Sequence, residues 1–337
     1  MRVDDYLSGL VLGGFLALVI PVGARASSPV TPAPESPAIV IKVPVASSAE
    51  APGQPVTSWL EAQVALARAG ISCGPIDGVG GLQSAAALQA FQEDRDLPAT
   101  GVLDDATRAQ LVLTSPALGQ TTLTKDDLAR LQPLSPTWLG KSQQSALDYE
   151  TALELVAERA HASQALIRRL NPTVDWNQPA AGTVVTIPAV NRMRPAAAVA
   201  HVHIYLGTHV LEARDANGGL IVHFPVSIAR MAEKRPEGEL HVTVAIPNPN
   251  YTFDPDVFPE SAEGRELGRK LVLPPGPNNP VGVAWIGLDL PGYGIHGTPA
   301  PEQVGRTESH GCFRLANWDA QALLELVWVG LPVVVDP

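Results

Sequence analysis

A chain of 337 residues is too long for one typical compact domain and implies two or three. Its 32 prolines and 29 glycines favour strands, loops and linkers over a helical bundle, and with aromatics at 5% the core must be mostly Val, Leu, Ile and Ala. The formal net charge of -11 argues against a general nucleic-acid surface and against electrostatic attachment to anionic lipid. The only two cysteines, Cys73 and Cys312, cannot build a disulfide framework, and both are expected as free thiols.

From Leu7 to Val22 the chain is apolar, interrupted by Ser8, several glycines and Pro21, and Ala24-Arg25-Ala26 follows. This is the pattern of a secretory h-region with an A-x-A cleavage site, so residues 1–26 read as a signal peptide with a mature start at Ser27. Asp4 and Asp5 beside Arg2 depart from the usual positive n-region, which keeps open an uncleaved membrane anchor, and with it membrane association before cleavage, or a displaced start codon. Residues 27–57, rich in Pro, Ala and Ser without helical period, read as an extended tether.

Ser58-Trp59-Leu60-Glu61 fits a capping box, and Leu60, Val64 and Ala67 share a helical face before Gly70. Gly74 to Gly78 supplies a turn, Leu82–Asp94 a second amphipathic helix with Leu88 and Phe91 inward, and Asp104–Leu113 a third. Cys73 sits beside that turn as a small buried hydrophobe. The segments around G-P-I-D-G, A-L-x-A-F-Q and L-P-A-T-G-V-L-D-x-x-T resemble the three-helix peptidoglycan-binding domain of wall hydrolases, over residues 58–114. Most of these motif residues are turn glycines and core apolars that specify the fold.

Residues 115–147 read as a connector in which Thr124 caps a short helix. Leu153, Val156, Ala157 and Ala160 then share one helical face, Ser163 caps a second helix carrying Leu166, Ile167 and Leu170, Asn171-Pro172 stops it, and Gly182–Pro188 reads as a strand. Residues 148–190 resemble the helix–helix–strand part of a LysM module, a fold for N-acetylglucosamine polymers; Glu150-Thr151-Ala152 stands where Gly-Asp-Thr is usual, a departure that bears on the first strand and on glycan binding.

From Ala200 the period becomes alternating. Residues 201–206, 220–226, 240–246, 281–286 and 332–335 read as strands of an antiparallel sheet, with a turn at Asn217-Gly218. Pro247 to Pro280 reads as a long Pro/Asn-rich loop region, and Asn317 or Asp319 as the cap of a helix reaching about Val329. His201 and His203 share a strand face as metal ligands would, but nothing in the sequence completes a site, and an exposed polar face is the better reading.

Chemistry concentrates between Gly294 and Asp319, which holds Cys312 with His296 and His310. A thiol attacks carbonyls as thiolate, and a nearby imidazole that takes its proton makes it reactive at neutral pH. Either histidine could serve, and Gly311 permits a tight turn whose amides could hold an oxyanion.

The set His296-Gly297-Thr298 and Ser309-His310-Gly311-Cys312-Phe313-Arg314, flanked by Gly276–Gly282, Gly292–Ile295 and Asn317-x-Asp319, resembles the L,D-transpeptidase (YkuD) catalytic domain, over residues 199–337. The resemblance implies a multidomain protein: a mainly-β catalytic domain after a three-helix peptidoglycan-binding domain and a small α+β LysM-like module. It implies that Cys312 is the nucleophile and His296 its base, oriented by the Gly297 carbonyl. Backbone amides of His310, Gly311 and Cys312 would form the oxyanion hole; Ser309 and the His310 side chain would shape the site, and Arg314 would face a stem carboxylate, with Tyr293 and Thr298 beside the substrate. The implied reaction is acyl transfer on peptidoglycan tetrapeptide stems in the periplasm or cell envelope, without metal or cofactor. A stem amine, a lipoprotein or water could resolve the acyl-enzyme.

Overall fold

The computed structural model describes residues 53–191, 197–258, 260–306 and 311–337. The expected signal peptide, nearly all of the tether, and Ser309 and His310 lie outside the described residues. Among the described residues no helix is long and apolar enough to cross a membrane.

The first module contains β1 (Gln54–Pro55), α1 (Trp59–Arg68), α2 (Leu82–Asp94), α3 (Asp105–Gln110) and β2 (Val112–Leu113). Local chemistry sets its helix starts. Ser58 Oγ accepts the Glu61 N–H at 3.3 Å while Glu61 returns a carboxylate oxygen to the Ser58 N–H, and Asp104 accepts the Thr107 N–H at 2.8 Å. The third helix ends at Gln110, short of the expected Leu113, because Val112–Leu113 pairs antiparallel with β1 at the end of the tether. Buried Gln63 holds the Asp77-Gly78 turn, donating to Asp77 Oδ1 at 2.9 Å and accepting the Gly78 N–H at 2.7 Å. Leu66, Leu88, Phe91, Leu111 and Cys73 close the core.

The second module contains β3 (Leu118–Thr122), α4 (Lys125–Ala129), α5 (Trp138–Gln143), α6 (Ala152–Arg159), α7 (Gln164–Leu170) and β4 (Val184–Pro188). Its helices start at Thr124, Thr137, Thr151 and Ser163, each accepting an N–H within the first turn. The stretch expected as a connector therefore carries structure. Its strand β3 pairs antiparallel with β4 from Leu118↔Pro188 to Thr122↔Val184, supplying a strand that residues 148–190 alone do not contain. Asn171 ends α7 and exchanges two side-chain hydrogen bonds with the Thr186 backbone, at 2.7 and 2.8 Å.

The third module contains β5 (His201–Tyr205), β6 (Val210–Arg214), β7 (Leu220–Pro225), β8 (Gly238–Pro247), β9 (Tyr251–Phe253), α8 (Ala262–Leu267), β10 (Leu271–Leu273), β11 (Ala284–Leu288), β12 (Gly294–His296), β13 (Phe313–Arg314), α9 (Asn317–Leu324) and β14 (Pro332–Asp336). Eight strands form one sheet in the order β13-β12-β11-β8-β14-β5-β6-β7. The sheet is mixed rather than antiparallel as expected, since β12 runs parallel to β13 and β14 parallel to β5. Both pairs join segments separated by long crossovers, which alternation within a strand does not reveal. Val202, Ile204, Leu211, Phe224, Ile286, Ile295, Phe313 and Val333 line the core with Ala320 and Leu323 of α9. Each such large side chain contributes roughly 1.5–3 kcal/mol by leaving water. On the other face of β5, His203 Nε2 lies 2.7 Å from Asp336 and its ring stacks on Tyr205.

The expected loop region from Pro247 to Pro280 instead holds the β9–β10 hairpin and α8. Its apolar partners come from far away in sequence: Leu147 joins Phe253, Leu271 and Leu273 in a small core, and Trp138 stacks on Phe253 at 4.5 Å. The second module also clasps the loop that follows. Leu147 donates to Pro275 O and accepts from Asn278 N–H, both at 2.9 Å, and Gly276 has φ +144, where a Cβ would run into the Leu147 backbone. The first module docks on β7 through the Ser72 N–H to His223 O (2.8 Å) and the His223 N–H to Gly70 O (3.1 Å).

Helix α9 also differs from expectation. It ends at Leu324, and neither Asn317 nor Asp319 caps it. Their side chains point to other modules: Asn317 to Glu158 of α6, and Asp319 to Ser72 at 2.8 Å. Between them Trp318 stacks on His161 at 5.3 Å.

Candidate active site

The site is built by two adjacent parallel strands. In β12 and β13, Ile295 pairs with Phe313 and His296 with Arg314. Side chains alternate along a strand, and in-register neighbours share a face. Ile295 and Phe313 both point into the core, so Cys312, Arg314 and His296 fall on the opposite face. Trp285, the β11 partner of His296, stacks on the imidazole at 5.7 Å. Four chemically distinct groups thus share one surface.

His296 is 5% exposed. Its Nδ1 lies 2.6 Å from the Gly297 carbonyl, which can only accept, so Nδ1 carries the proton and Nε2 keeps its lone pair. Burial holds the imidazole pKa down to about 4, with the Arg314 charge acting in the same direction against the Gly297 hydrogen bond. The ring is therefore neutral at pH 7. Gly297 cannot carry a side chain, because a Cβ would collide with Asn317 Oδ1.

The Cys312 thiol donates to the Gly292 carbonyl at 3.5 Å. Burial raises its pKa, opposed by a backbone hydrogen bond from Gly294 and by the Arg314 charge. Burial lowers the Arg314 pKa, against the pull of Cys312 and Tyr251. Resting thiol and resting imidazole are both neutral. A proton transfer that accompanies attack fits this pair better than a standing ion pair does.

Gly311 sits at the start of this segment, with the Tyr293 ring 3.9 Å from where its Cβ would stand. Thr298 is buried and accepts the Ala300 N–H at 3.3 Å, so its hydroxyl is engaged in a turn. The Arg314 backbone is held on its outer side by Ser227, with reciprocal N–H to O bonds of 2.9 Å. Ser227 Oγ accepts the Gly305 N–H at 2.9 Å, and Gln83 of the first module donates to Val304 O at 2.6 Å.

Three contributors were missed from sequence. Tyr251 of β9 interacts with Cys312 and Arg314, and its hydroxyl is pushed up to about 12, first by burial. The alternation Tyr-Thr-Phe was the available signal, obscured by the surrounding prolines and asparagines. Trp285 had a signal in its strand position. Glu158, whose carboxyl burial lifts to about 7, had none. Near the site it leaves a cavity of about 200 Å³ between α6 and residues 299–303. Among the described residues no group of three or more His, Cys, Asp or Glu could hold a metal ion.

Residues 200–335 match the YkuD family, "L,D-transpeptidase catalytic domain", and residues 57–111 match the "Putative peptidoglycan binding domain" family. "Putative L,D-transpeptidase YqjB" of Bacillus subtilis (strain 168) is 33% identical over 117 residues, which is 33% of this chain and 57% of that protein. The match thus spans little more than half of that relative's length. "Putative L,D-transpeptidase YkuD" of Bacillus licheniformis is 25% identical over 56% of this chain and 94% of its own. The crystal structure of L,D-transpeptidase 3 from Mycobacterium tuberculosis aligns with 48% of this chain and 77% of that one, at 18% identity and a TM-score of 0.33.

Proposed function

We propose that this chain, whose residues 200–335 match the L,D-transpeptidase catalytic-domain family and whose residues 57–111 match a putative peptidoglycan-binding domain family, is a cysteine acyltransferase acting on peptidoglycan stem peptides. The observation that carries the reading is the neutral, buried His296, fixed through Nδ1, on the same sheet face as Cys312 and Arg314.

In the first step the Cys312 sulfur attacks the carbonyl of the third stem residue while its proton passes to His296 Nε2. The C–N bond to the terminal D-alanine breaks, and His296 returns the proton to the leaving amine. Backbone N–H groups near Gly311 and Cys312 stabilise the oxyanion. An acceptor amine then attacks the thioester, giving up a proton to His296, and the sulfur leaves and takes that proton back from His296 as the thiol. Arg314 offers a planar donor to a stem carboxylate. Tyr293 borders the same mouth.

The apolar segment ahead of Ser27 and the family's place of action support export to the cell envelope. The α6–α7 pair with β4 supports a LysM-like role in holding glycan for the second module.

Incubation with disaccharide-tetrapeptide, read by mass spectrometry, tests the reading. Release of D-alanine with cross-linked dimers is expected. Tripeptide without dimers would make the enzyme an L,D-carboxypeptidase, and binding to sacculi without D-alanine release would make it a scaffold. A carbapenem should add mass to the intact protein and not to Cys312→Ala.

A further inference from the structure

The base is held by a relay that begins outside the catalytic module. Asn317 is 1% exposed. Its Nδ2 donates to both Glu158 carboxylate oxygens, at 3.2 and 3.1 Å, and to Pro277 O at 3.0 Å. Its Oδ1 accepts the Val283 N–H at 3.3 Å and presses against Gly297, where no Cβ would fit. The Gly297 carbonyl in turn accepts from His296 Nδ1.

We propose that Glu158, on helix α6 of the second module, is a positioning residue for His296, acting through the side-chain amide of Asn317 and the Gly297 peptide. The proposal rests on His296 being the base for Cys312. Asn317 has two amide orientations, and only one satisfies its surroundings. With Nδ2 toward Glu158 and Pro277, three acceptors meet a donor and the Val283 N–H meets an acceptor. Turned over, Oδ1 would face three oxygens and Nδ2 an N–H. In its ionised form the Glu158 carboxyl supplies two of the three acceptors that select the orientation; burial lifts its pKa to about 7, and the Asn317 and Tyr149 hydrogen bonds favour the ionised form.

Glu158 is itself anchored, accepting from the Tyr149 hydroxyl at 3.2 Å. Beside it, Asn278 donates to Glu154 at 2.6 Å and to Asp148 O at 3.0 Å, pinning the loop that carries Pro277. The peptide that sets the imidazole tautomer is thus braced by a different module. Outer partners of this kind typically change reactivity by one to two orders of magnitude when removed from a metal-bound histidine, and a base that must meet a sulfur tolerates little misplacement.

The test uses the full-length protein, with carbapenem acylation followed by intact mass and the His296 Nδ1–H followed by NMR on selectively labelled histidine. For Glu158→Ala we expect the maximal acylation rate to fall roughly tenfold, the half-saturating concentration to stay within about twofold, and the Nδ1–H resonance to shift or broaden. Glu158→Gln, which keeps an acceptor oxygen for Asn317, should recover to within about threefold of the parent. Should Glu158→Ala not fold, Glu158→Asp withdraws the acceptors by one methylene and should show the same split more mildly.

A parental rate in Glu158→Ala, or in Glu158→Asp if the alanine variant does not fold, overturns the proposal. So does an equal fall in the Ala and Gln variants that tracks melting temperature with the imidazole signal unmoved. Mass gain in a Cys312→Ala control would instead overturn the underlying reading of the nucleophile.

Discussion

The two thiols of this chain lie in opposite surroundings: Cys73 is buried and Cys312 is half-buried. Cys73 sits in the core of the first module, where burial drives its pKa up to about 12, a Ser84 hydrogen bond opposes that, and the Asp319 and Asp77 carboxylates push it further up. Cys312 is also raised by burial, but Arg314 and a Gly294 hydrogen bond favour its thiolate, and a neutral imidazole shares its sheet face. Accessibility and the sign of the neighbouring charge therefore both distinguish the two sulfurs.

The most severe way to break the comparison is to exchange the roles. Cys312→Ala should lower D-alanine release by about 10⁴-fold or more, while Cys73→Ala should leave it unchanged, read by mass spectrometry of stem products. Equal losses would mean the thiols are not distinguished by their surroundings. His296→Gln should cost about 10²–10⁴-fold in the acylation rate, because the proton acceptor is lost while Cys312 and Arg314 stay in place.

Acid sharpens the contrast through stability. At pH 7 His296 is neutral in both states and costs nothing. Below about 6.5 the unfolded chain takes up a proton that the folded site refuses until about pH 4, so the His296 contribution to stability falls across that window by about 3 kcal/mol, while Glu158, lifted to about 7, acts in the opposite direction. Urea unfolding at pH 7 and at pH 4.5 should therefore show the parent losing stability relative to His296→Gln as the pH falls.

Two smaller effects concern the first module. Ser72→Ala removes a partner of buried Asp319 and should destabilise by roughly 1–3 kcal/mol in denaturant melts. Cys73→Ala, a small trimming of a packed core, should cost about 1 kcal/mol.

Whatever depends on a few adjacent residues was legible in the sequence. Ser58, Thr124 and Ser163 cap the helices they were expected to cap, and the Gly297 carbonyl stands against His296 Nδ1 as the resemblance implied. The same reasoning failed at Asn317 and Asp319, residues of cap type at a helix start. Their polar groups are engaged by Glu158 and Ser72, partners remote in sequence, and a local pattern cannot register that competition. Strand Leu118–Thr122 escaped notice for a related reason. With one fully buried position it has little alternation, and its identity comes from Val184–Pro188 alongside.

Strand β14 gives the third module a particular history. It lies between β8 and β5, and without it the sheet separates into β13-β12-β11-β8 and β5-β6-β7, with no ladder joining them. During synthesis these two ribbons, one bearing the thiol and the other the docking edge for the first module, are made before residues 332–336 leave the ribosome. Until then each presents an open flank where β14 will insert, and chain segments with such flanks are the ones that chaperones shield and that stick to one another when they are not shielded. The ribbon that carries Cys312 and His296 and the ribbon that receives the first module are thus joined by a strand distant in sequence from both β5 and β8.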